Sequence, residues 1–236
     1  LTPFADSDGI PEADAVTIIG DRAFVSLQRL NRKAGWVVEG ESQIAILDLN
    51  TDTVIDANPE LEGLQAISLP YSSPTDRLLP LPSGDLLLVT TGLYTTPGAG
   101  ALLRLASEPP FAVEVLITED ALGGTANYLA SADGERVFLV VNIPKEEGQY
   151  EADTALFVVD TTQGTHRELM RTQGYALTDI AIDSKGRLLI ADRTSTAPGC
   201  WVLDSLSLEP VGTGFIPMPL PPFSIGVFGS PSETLP

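Results

Sequence analysis

Short apolar runs alternate with polar turns along the whole chain, and one arrangement of them recurs four times. Each copy has a first strand, a tight polar turn that contains glycine, and a second, strongly apolar strand. The turn glycines recur at intervals of roughly fifty to sixty residues, a spacing typical of stacked structural repeats. They are Gly20, Gly84, Gly134 and Gly186.

A loop of variable length and two more apolar runs complete each copy. The third runs are SQIAILDL, GALLRLAS, DTALFVVD and PGCWVLDS, and three of them end at an aspartate, Asp48, Asp160 or Asp204. Four short strands per repeat is the composition of a propeller blade, and a lone blade cannot bury both of its faces. The pattern therefore predicts an all-β fold, a β-propeller built from four-stranded antiparallel blades, with about four blades plus an extra strand.

The predicted units divide one propeller domain, residues 1–236, with few residues left over. They span residues 13–66, 67–123, 124–174 and 175–220. The segment PPFSIGVF, residues 221–228, predicts one further first strand, followed by a proline-rich tail at 229–236. Two alternatives are open: missing blades, a partner or a second copy completes a larger ring, or the extra strand joins the first blade and closes a small one.

The charge balance narrows the classes of partner. The chain has 13 Lys and Arg against 32 Asp and Glu, a formal net charge of −19. Such a surface repels nucleic-acid phosphates and anionic lipids, and it favours cations and basic partners. No apolar run approaches the ~20 residues of a membrane-spanning helix. We therefore expect neither nucleic-acid binding nor a membrane span.

Cysteine and histidine offer little chemistry here. The single cysteine, Cys200, lies at the start of a strand, where we predict a buried thiol. The single histidine, His166, lies in the fourth strand of the third unit, which is normally the outer edge of a blade. A Cys–His or Ser–His–Asp arrangement near the axis is therefore disfavoured, and zinc or copper sites of the usual type lack ligands.

Oxygen ligands remain, and one set recurs with the repeat. A short polar residue stands at the start of each first strand: Asp14, Asp76, Asn127 and Asp179. If the units are blades, these residues ring the mouth of the central channel, and such a ring predicts a Ca²⁺ site. The alternative is structural, because Asp and Asn at such junctions commonly hydrogen-bond their own backbone.

A second acidic segment lies near the N-terminus. Residues 6–14, DSDGIPEAD, place Asp6 and Asp8 around a glycine, in partial likeness to an Asp-rich calcium loop. The segment departs from the EF-hand pattern because the third Asp and the distal Glu are missing. A weak calcium loop and a solvated acidic lead-in are the two alternatives.

The longest loops carry aromatic residues. Residues 31–41, 94–100 and 144–153 each connect the second and third strands of a unit, so we expect them to project from one rim. Trp36, Tyr94 and Tyr150 would be partner-binding anchors on that rim, since aromatic residues are enriched in protein contacts. Alternatively, each ring packs only against its own loop.

Residues 44–55, IAILDLNTDTVI, resemble the repeat of bacterial YVTN-type propellers, in which a strand ending in Asp passes through a T-D/N-T-V turn. LFVVDTTQGTHREL and WVLDSLSLEPV are looser matches, and the full YVTN tetrapeptide is absent. The resemblance implies an exported, extracytoplasmic bacterial protein. It also brings in related lactonase propellers, in which an axial metal polarises a carbonyl and positions water.

Two functions follow from these observations. The first is an exported, non-catalytic β-propeller that acts as a protein-binding or scaffold module, either alone or as a subunit of a larger assembly. The second is a calcium-dependent, lactonase-like hydrolase that uses Asp14, Asp76, Asn127 and Asp179 as ligands. The unequal, aromatic loops favour the first function, because aromatic residues are enriched in protein contacts. The second function is less favoured, because no residue of the sequence identifies a catalytic base for it.

Overall fold

A computed structural model describes residues 1–92, 98–146 and 151–227. The chain forms antiparallel sheets with very little helix, and four of these sheets correspond to the four predicted units. Sheet by sheet, the structure confirms the all-β propeller fold built from four-stranded antiparallel blades. Within the described residues, no helix is both long and apolar enough to cross a membrane.

The first blade has the strand order β1-β2-β5-β6, and β7 also pairs with β5. The hairpin β3-β4 lies in the loop between β2 and β5. Because β7 belongs to this sheet, the first blade extends slightly beyond the predicted boundary at residue 66. The strands are β1 (Ala13–Ile19), β2 (Arg22–Leu27), β3 (Leu30–Asn31), β4 (Val37–Val38), β5 (Gln43–Asp48), β6 (Thr53–Ile55) and β7 (Ile67–Ser68).

The other three blades are simple four-stranded meanders, each with its strands in chain order across the sheet. A one-turn helix, α1 (Glu119–Leu122), joins the second blade to the third, and short 3₁₀ turns occur at Thr2–Phe4 and Arg32–Ala34. The strands are β8 (Pro74–Pro80), β9 (Leu86–Thr90), β10 (Ala101–Leu105), β11 (Val113–Thr118), β12 (Thr125–Ser131), β13 (Arg136–Pro144), β14 (Ala152–Asp160), β15 (Thr165–Thr172), β16 (Leu177–Ile182), β17 (Arg187–Asp192), β18 (Gly199–Asp204) and β19 (Pro210–Pro217).

The turn after each first strand is built as the sequence predicts. All four turn glycines have positive φ, from 59° at Gly20 to 92° at Gly84. Glycine adopts this conformation without the steric cost that a β-carbon would bring. The strongly apolar second strand that follows is buried throughout in β9, Leu86–Thr90.

The apolar cores lie between successive blades. The inner strand β1 packs beside β8, β8 beside β12, and β12 beside β16. Phe24 of the first blade shares a core with Leu88 of the second, and Phe138 of the third shares one with Ile190 of the fourth. The facing sides of neighbouring blades are therefore buried by stacking, as the repeat pattern requires.

The extra strand predicted at residues 221–228 is wrong over the described part. Residues 221–227 form no strand. Consecutive prolines at Pro221 and Pro222 remove two backbone donors from any ladder, and the segment instead bonds side chains of β16. Residue 228 and the predicted tail at 229–236 lie outside the described residues.

The cysteine and the histidine lie where the sequence places them. Cys200 is buried in β18, and burial raises the pKa of its thiol. His166 lies exposed on the outer strand β15, where its ring is 6.0 Å from that of Phe157. They lie on the third and fourth strands of their blades, not on the inner strands.

Candidate axial site

The four predicted axial residues occupy equivalent irregularities of the inner strands. In every blade the pairing between the first and second strands is interrupted near the start of the first strand. A bulge of this kind bends a strand and re-aims a side chain, and bulges are over-represented beside functional sites. The interruptions fall between Ala13 and Val16, Thr75 and Leu79, Ala126 and Tyr128, and Leu177 and Asp179. Asp14, Asp76 and Asn127 lie inside their interruptions, and Asp179 ends the fourth.

Two of the four residues are brought together, and an arginine joins them. Nε of Arg77 donates to both carboxylate oxygens of Asp76 at 3.1 Å. Its Nη2 donates to Oδ1 of Asp179 at 2.6 Å. Both carboxylates are largely buried, with side-chain exposures of 10% and 6%. The inner strands thus meet at what we call the axial surface. Its centre is an Asp–Arg–Asp cluster rather than a ring of free carboxylates.

The electrostatics of Asp76 are unusual. Burial raises the pKa of its carboxyl to about 6, and the opposing attraction of Arg77 offsets this only in part. Asp76 has a positive φ of 65°, and its Oδ2 also accepts a hydrogen bond from the backbone N–H of Leu129 in the next blade. Burial likewise raises the pKa of the neighbouring Tyr128, with Asp76 and Asp179 adding to the effect. The cluster thus contains one carboxyl that titrates close to neutral pH.

The other two predicted residues stand apart from this cluster. Asn127 donates from Nδ2 to the carbonyl of Thr125 on its own strand at 2.9 Å, as the structural alternative requires. Asp14 lies on an exposed part of β1. Among the described residues, no group of three or more His, Cys, Asp or Glu side chains is arranged to hold a metal ion. The axial calcium site stays a prediction, and a cation would have to displace Arg77.

The acidic N-terminal segment is held by the β3-β4 hairpin. Oδ2 of Asp8 accepts from the backbone N–H of Arg32 at 2.9 Å, and these contacts hold the pKa of Asp8 below its usual value. Oδ1 of Asp6 accepts from the backbone N–H of Asp8 at 2.9 Å. These are the bonds of a structured acidic turn. Calcium binding by Asp6 and Asp8 also stays a prediction.

The C-terminal segment runs over the axial surface. The hydroxyl of Thr178 donates to the carbonyl of Pro222 at 3.1 Å, and the backbone N–H of Ile225 donates to Oδ2 of Asp179 at 2.7 Å. The guanidinium carbon of Arg193 lies 5.3 Å from the centre of the Phe223 ring. The segment therefore shares Asp179 with Arg77.

Sequence reasoning missed both arginines and Thr178. Arg77 had one available signal, its place directly after the predicted axial residue Asp76. An arginine beside an axial carboxylate is a ready ion-pair partner. Arg193 and Thr178 had no comparable signal, because their role depends on where residues 221–227 come to lie.

The predicted rim is described only in part. Trp36 is 60% exposed in the β3-β4 hairpin, and the adjacent Val37 is 57% exposed. Tyr94 and Tyr150 lie outside the described residues. Partner binding by all three aromatic residues stays a prediction, and Trp36 has the exposure that it needs.

The inner strand of the first blade has one open apolar face. Ala15 and Ile19 of β1 pack toward the second blade. Val16 and Ile18 point to the opposite side and are 64% and 62% exposed. On the same side of the blade, Phe4 from the N-terminal segment covers Val25 and Ala45. The N-terminal segment therefore does not cover Val16 and Ile18, which stay exposed to solvent.

Comparison with known proteins supports the fold and leaves the family open. No protein-family model and no curated protein sequence matches the chain. Solved structures that are similar in fold include the following three, and the class that they and the blades define is the β-propeller. Virginiamycin B lyase from Staphylococcus aureus superposes with a TM-score of 0.55 at 11% identity, over 89% of this chain and 57% of its own.

The other two structures give a similar picture. The WD40 repeats of RRP9 superpose with a TM-score of 0.53 at 8% identity, over 90% of this chain and 56% of theirs. A nidogen/laminin complex gives 0.50 at 11% identity, over 84% of this chain and 60% of the matched chain. The chain thus spans between half and two thirds of the length of these propellers.

Proposed function

We propose that this chain is a non-catalytic, protein-binding β-propeller module that acts outside the cytoplasm, and that a partner or further blades complete its ring. One observation carries the proposal. Val16 and Ile18 lie exposed on an inner strand, which is a position that a complete ring buries. By contrast, residues 177–181 of the inner strand β16 are all buried.

The area around this face is consistent with a protein partner. Large exposed apolar side chains in one place favour protein contacts over solvent. The formal net charge of −19 favours a partner surface that is basic. Trp36 offers an aromatic anchor on the rim. The similar propellers are longer than this chain, which supports completion of the ring by more blades.

Native mass tests the proposal. We expect the tagged chain, expressed in its own host, to purify in an assembly well above its own 25.0 kDa. The double variant Val16→Ser/Ile18→Ser should lose the associated chain because it removes the apolar contact. Val115→Ser is a matched control, since Val115 is 41% exposed on an outer strand. A wild-type protein that purifies alone at 25.0 kDa would contradict the proposal.

The calcium-dependent, lactonase-like hydrolase is a second candidate, and one observation favours it. The Asp76 carboxyl has a pKa of about 6, which suits a general base near neutral pH. In this candidate Asp76 would be the base that takes a proton from the attacking water, and the remaining axial residues Asp14, Asn127 and Asp179 would hold the Ca²⁺ that polarises the lactone carbonyl. Calcium-stimulated lactone hydrolysis that disappears in Asp179→Ala would favour this candidate over the binding module.

A further inference from the structure

The surface around Asp179 already holds a peptide, because residues 221–227 of the same chain lie on it. The carboxylate of Asp179 accepts the backbone N–H of Ile225, and the hydroxyl of Thr178 donates to the carbonyl of Pro222. Both hydrogen bonds are made to the backbone of the peptide rather than to its side chains. Asp179 is 4% exposed, so this recognition group is fixed within the blade.

Side-chain contacts indicate which residues the bound peptide needs and at which positions. Arg193 lies over the face of the Phe223 ring, and Ile225 and Val227 line a cleft with residues of three inner strands. The described residues 218–227 carry no charge, so they avoid repulsion from this acidic chain. The preferred ligand is therefore an extended segment without acidic residues, with an aromatic residue two positions before the N–H that bonds Asp179.

The segment is held weakly in comparison with a strand of the sheet. It forms no strand, and Leu220 and Phe223 remain 76% and 68% exposed. The cleft beside Ile225 and Val227 still has a volume of about 190 Å³. Leu79, Leu129 and Ile182 form an apolar part of its wall, and Arg77 and Ser131 add polar groups to it. A segment with larger apolar side chains at the positions of Ile225 and Val227 would fill it better.

We propose that Thr178, Asp179 and Arg193 form a recognition site for an extended partner peptide, and that residues 221–227 occupy it as an internal ligand which the partner displaces. The inference rests on the proposed protein-binding function and gives that function a second, axial contact. The tethered segment competes with the partner at a high local concentration. The partner therefore needs extra contacts to displace it, and filling the cleft would supply them.

Fluorescence anisotropy with a labelled peptide, MPLPPFSIGV, tests the proposal on the full chain. Ile225→Pro removes the backbone donor that anchors the internal segment to Asp179. We expect this variant to bind the peptide at least about tenfold more tightly than the wild type, because one charge-assisted hydrogen bond of the competitor is lost. Ser224→Ala is the control, and it should bind as the wild type does.

Changes in the peptide keep the test independent of protein folding. A peptide with proline in place of the isoleucine should bind the Ile225→Pro protein at least about tenfold more weakly, whereas one with alanine in place of the serine should bind equally. Replacing the final valine by methionine should tighten binding, because it fills the cleft. Asp179→Asn and Arg193→Gln in the same protein should each weaken binding.

Three results would overturn the proposal. The first is the absence of saturable peptide binding to the Ile225→Pro protein. The second is binding of the proline peptide as tight as that of the unmodified peptide. The third is a dimer of the wild-type chain that dissociates when the peptide is added. The last result would identify a second copy as the occupant. Native mass separates this inference from the proposed function: an assembly that depends on Val16 and Ile18 but binds no peptide overturns the axial site alone.

Discussion

Arg77 and Asp179 are 102 residues apart in the sequence, and a 2.6 Å hydrogen bond joins their side chains. Arg77 belongs to the inner strand of the second blade, and Asp179 belongs to that of the fourth. The bond therefore ties together two blades that are not neighbours in the ring. It also brings positive charge to the surface where the sequence predicts only ligands for a cation.

Replacing Arg77 tests the structural weight of this bond. We expect Arg77→Met to lower the free energy of unfolding by roughly 2 kcal/mol, because two largely buried carboxylates lose their partner while Arg77 itself is one-third exposed. Urea unfolding measures the change. Arg171→Met removes the exposed pair with Glu168 and should cost less than about 1 kcal/mol. Equal losses in the two variants would contradict the central role of Arg77.

The stability of the protein should fall as pH rises through weakly acidic values. Burial raises the pKa of Asp76 to about 6 and that of Glu119 to about 7, both above their ordinary values. Between the ordinary and the folded pKa, the folded chain binds more protons than the unfolded chain, so raising the pH favours unfolding. The loss should therefore extend from about pH 4 to about pH 7.

Unfolding by urea at a series of pH values checks this dependence. Asp76→Asn and Glu119→Gln should each flatten the curve in that window, because each removes one titrating carboxyl. Asp160→Asn is a control at an exposed turn, where hydrogen bonds from Thr162 lower the pKa of the carboxyl. Its effect should be confined to more acidic pH. A curve that rises from pH 4 to pH 7 in the wild type would contradict the assignment.

Glu119 should be important for the junction between the second and third blades. Its carboxylate accepts backbone N–H groups from Gly100 at 2.9 Å and from Ala126 at 2.8 Å, and the residue is fully buried. Glu119→Ala should lower the free energy of unfolding by about 2–4 kcal/mol, because two buried donors lose their acceptor. Chemical denaturation measures this loss. Asp120→Ala, at the next position on α1, should change stability far less.

Calcium binding at the axis has a specific expected signature. If Ca²⁺ binds Asp179, it competes with the Arg77 guanidinium for the same carboxylate oxygen. We therefore expect Ca²⁺ to raise the melting temperature of Arg77→Gln more than that of the wild type. Differential scanning calorimetry with Ca²⁺ and with a chelator makes the comparison. No shift in either protein would contradict the axial calcium site and with it the hydrolase.

The sequence predicted the blades because their determinants are local. Alternating apolar residues specify the face of a strand that is buried, and a turn with positive φ at Gly84 or Gly134 needs glycine. The equivalent position of Asp76 and Asp179 at the inner-strand bulges also follows from the repeat. These features lie within a few residues of one another, so periodicity alone reveals them.

The prediction of an extra strand at residues 221–228 was wrong because a strand also depends on its neighbours. Residues 221–227 have the apolar content of a strand, yet a strand also needs a neighbour with free backbone groups. The segment instead satisfies the N–H of Ile225 with the carboxylate of Asp179. Composition describes what a segment can bury, whereas its hydrogen-bond partners are set by what lies beside it.

By itself, the sequence determined the strands, their turns and their grouping into blades, because these depend on residues close together in the chain. It also determined the acidity of the protein, because net charge depends on composition alone. Only the tertiary structure decided that Arg77 bridges Asp76 and Asp179, that residues 221–227 lie on the axial surface, and that Val16 and Ile18 stay exposed. Each of these depends on the packing of one blade against another. Contacts between residues far apart in the chain leave no periodic signal in it.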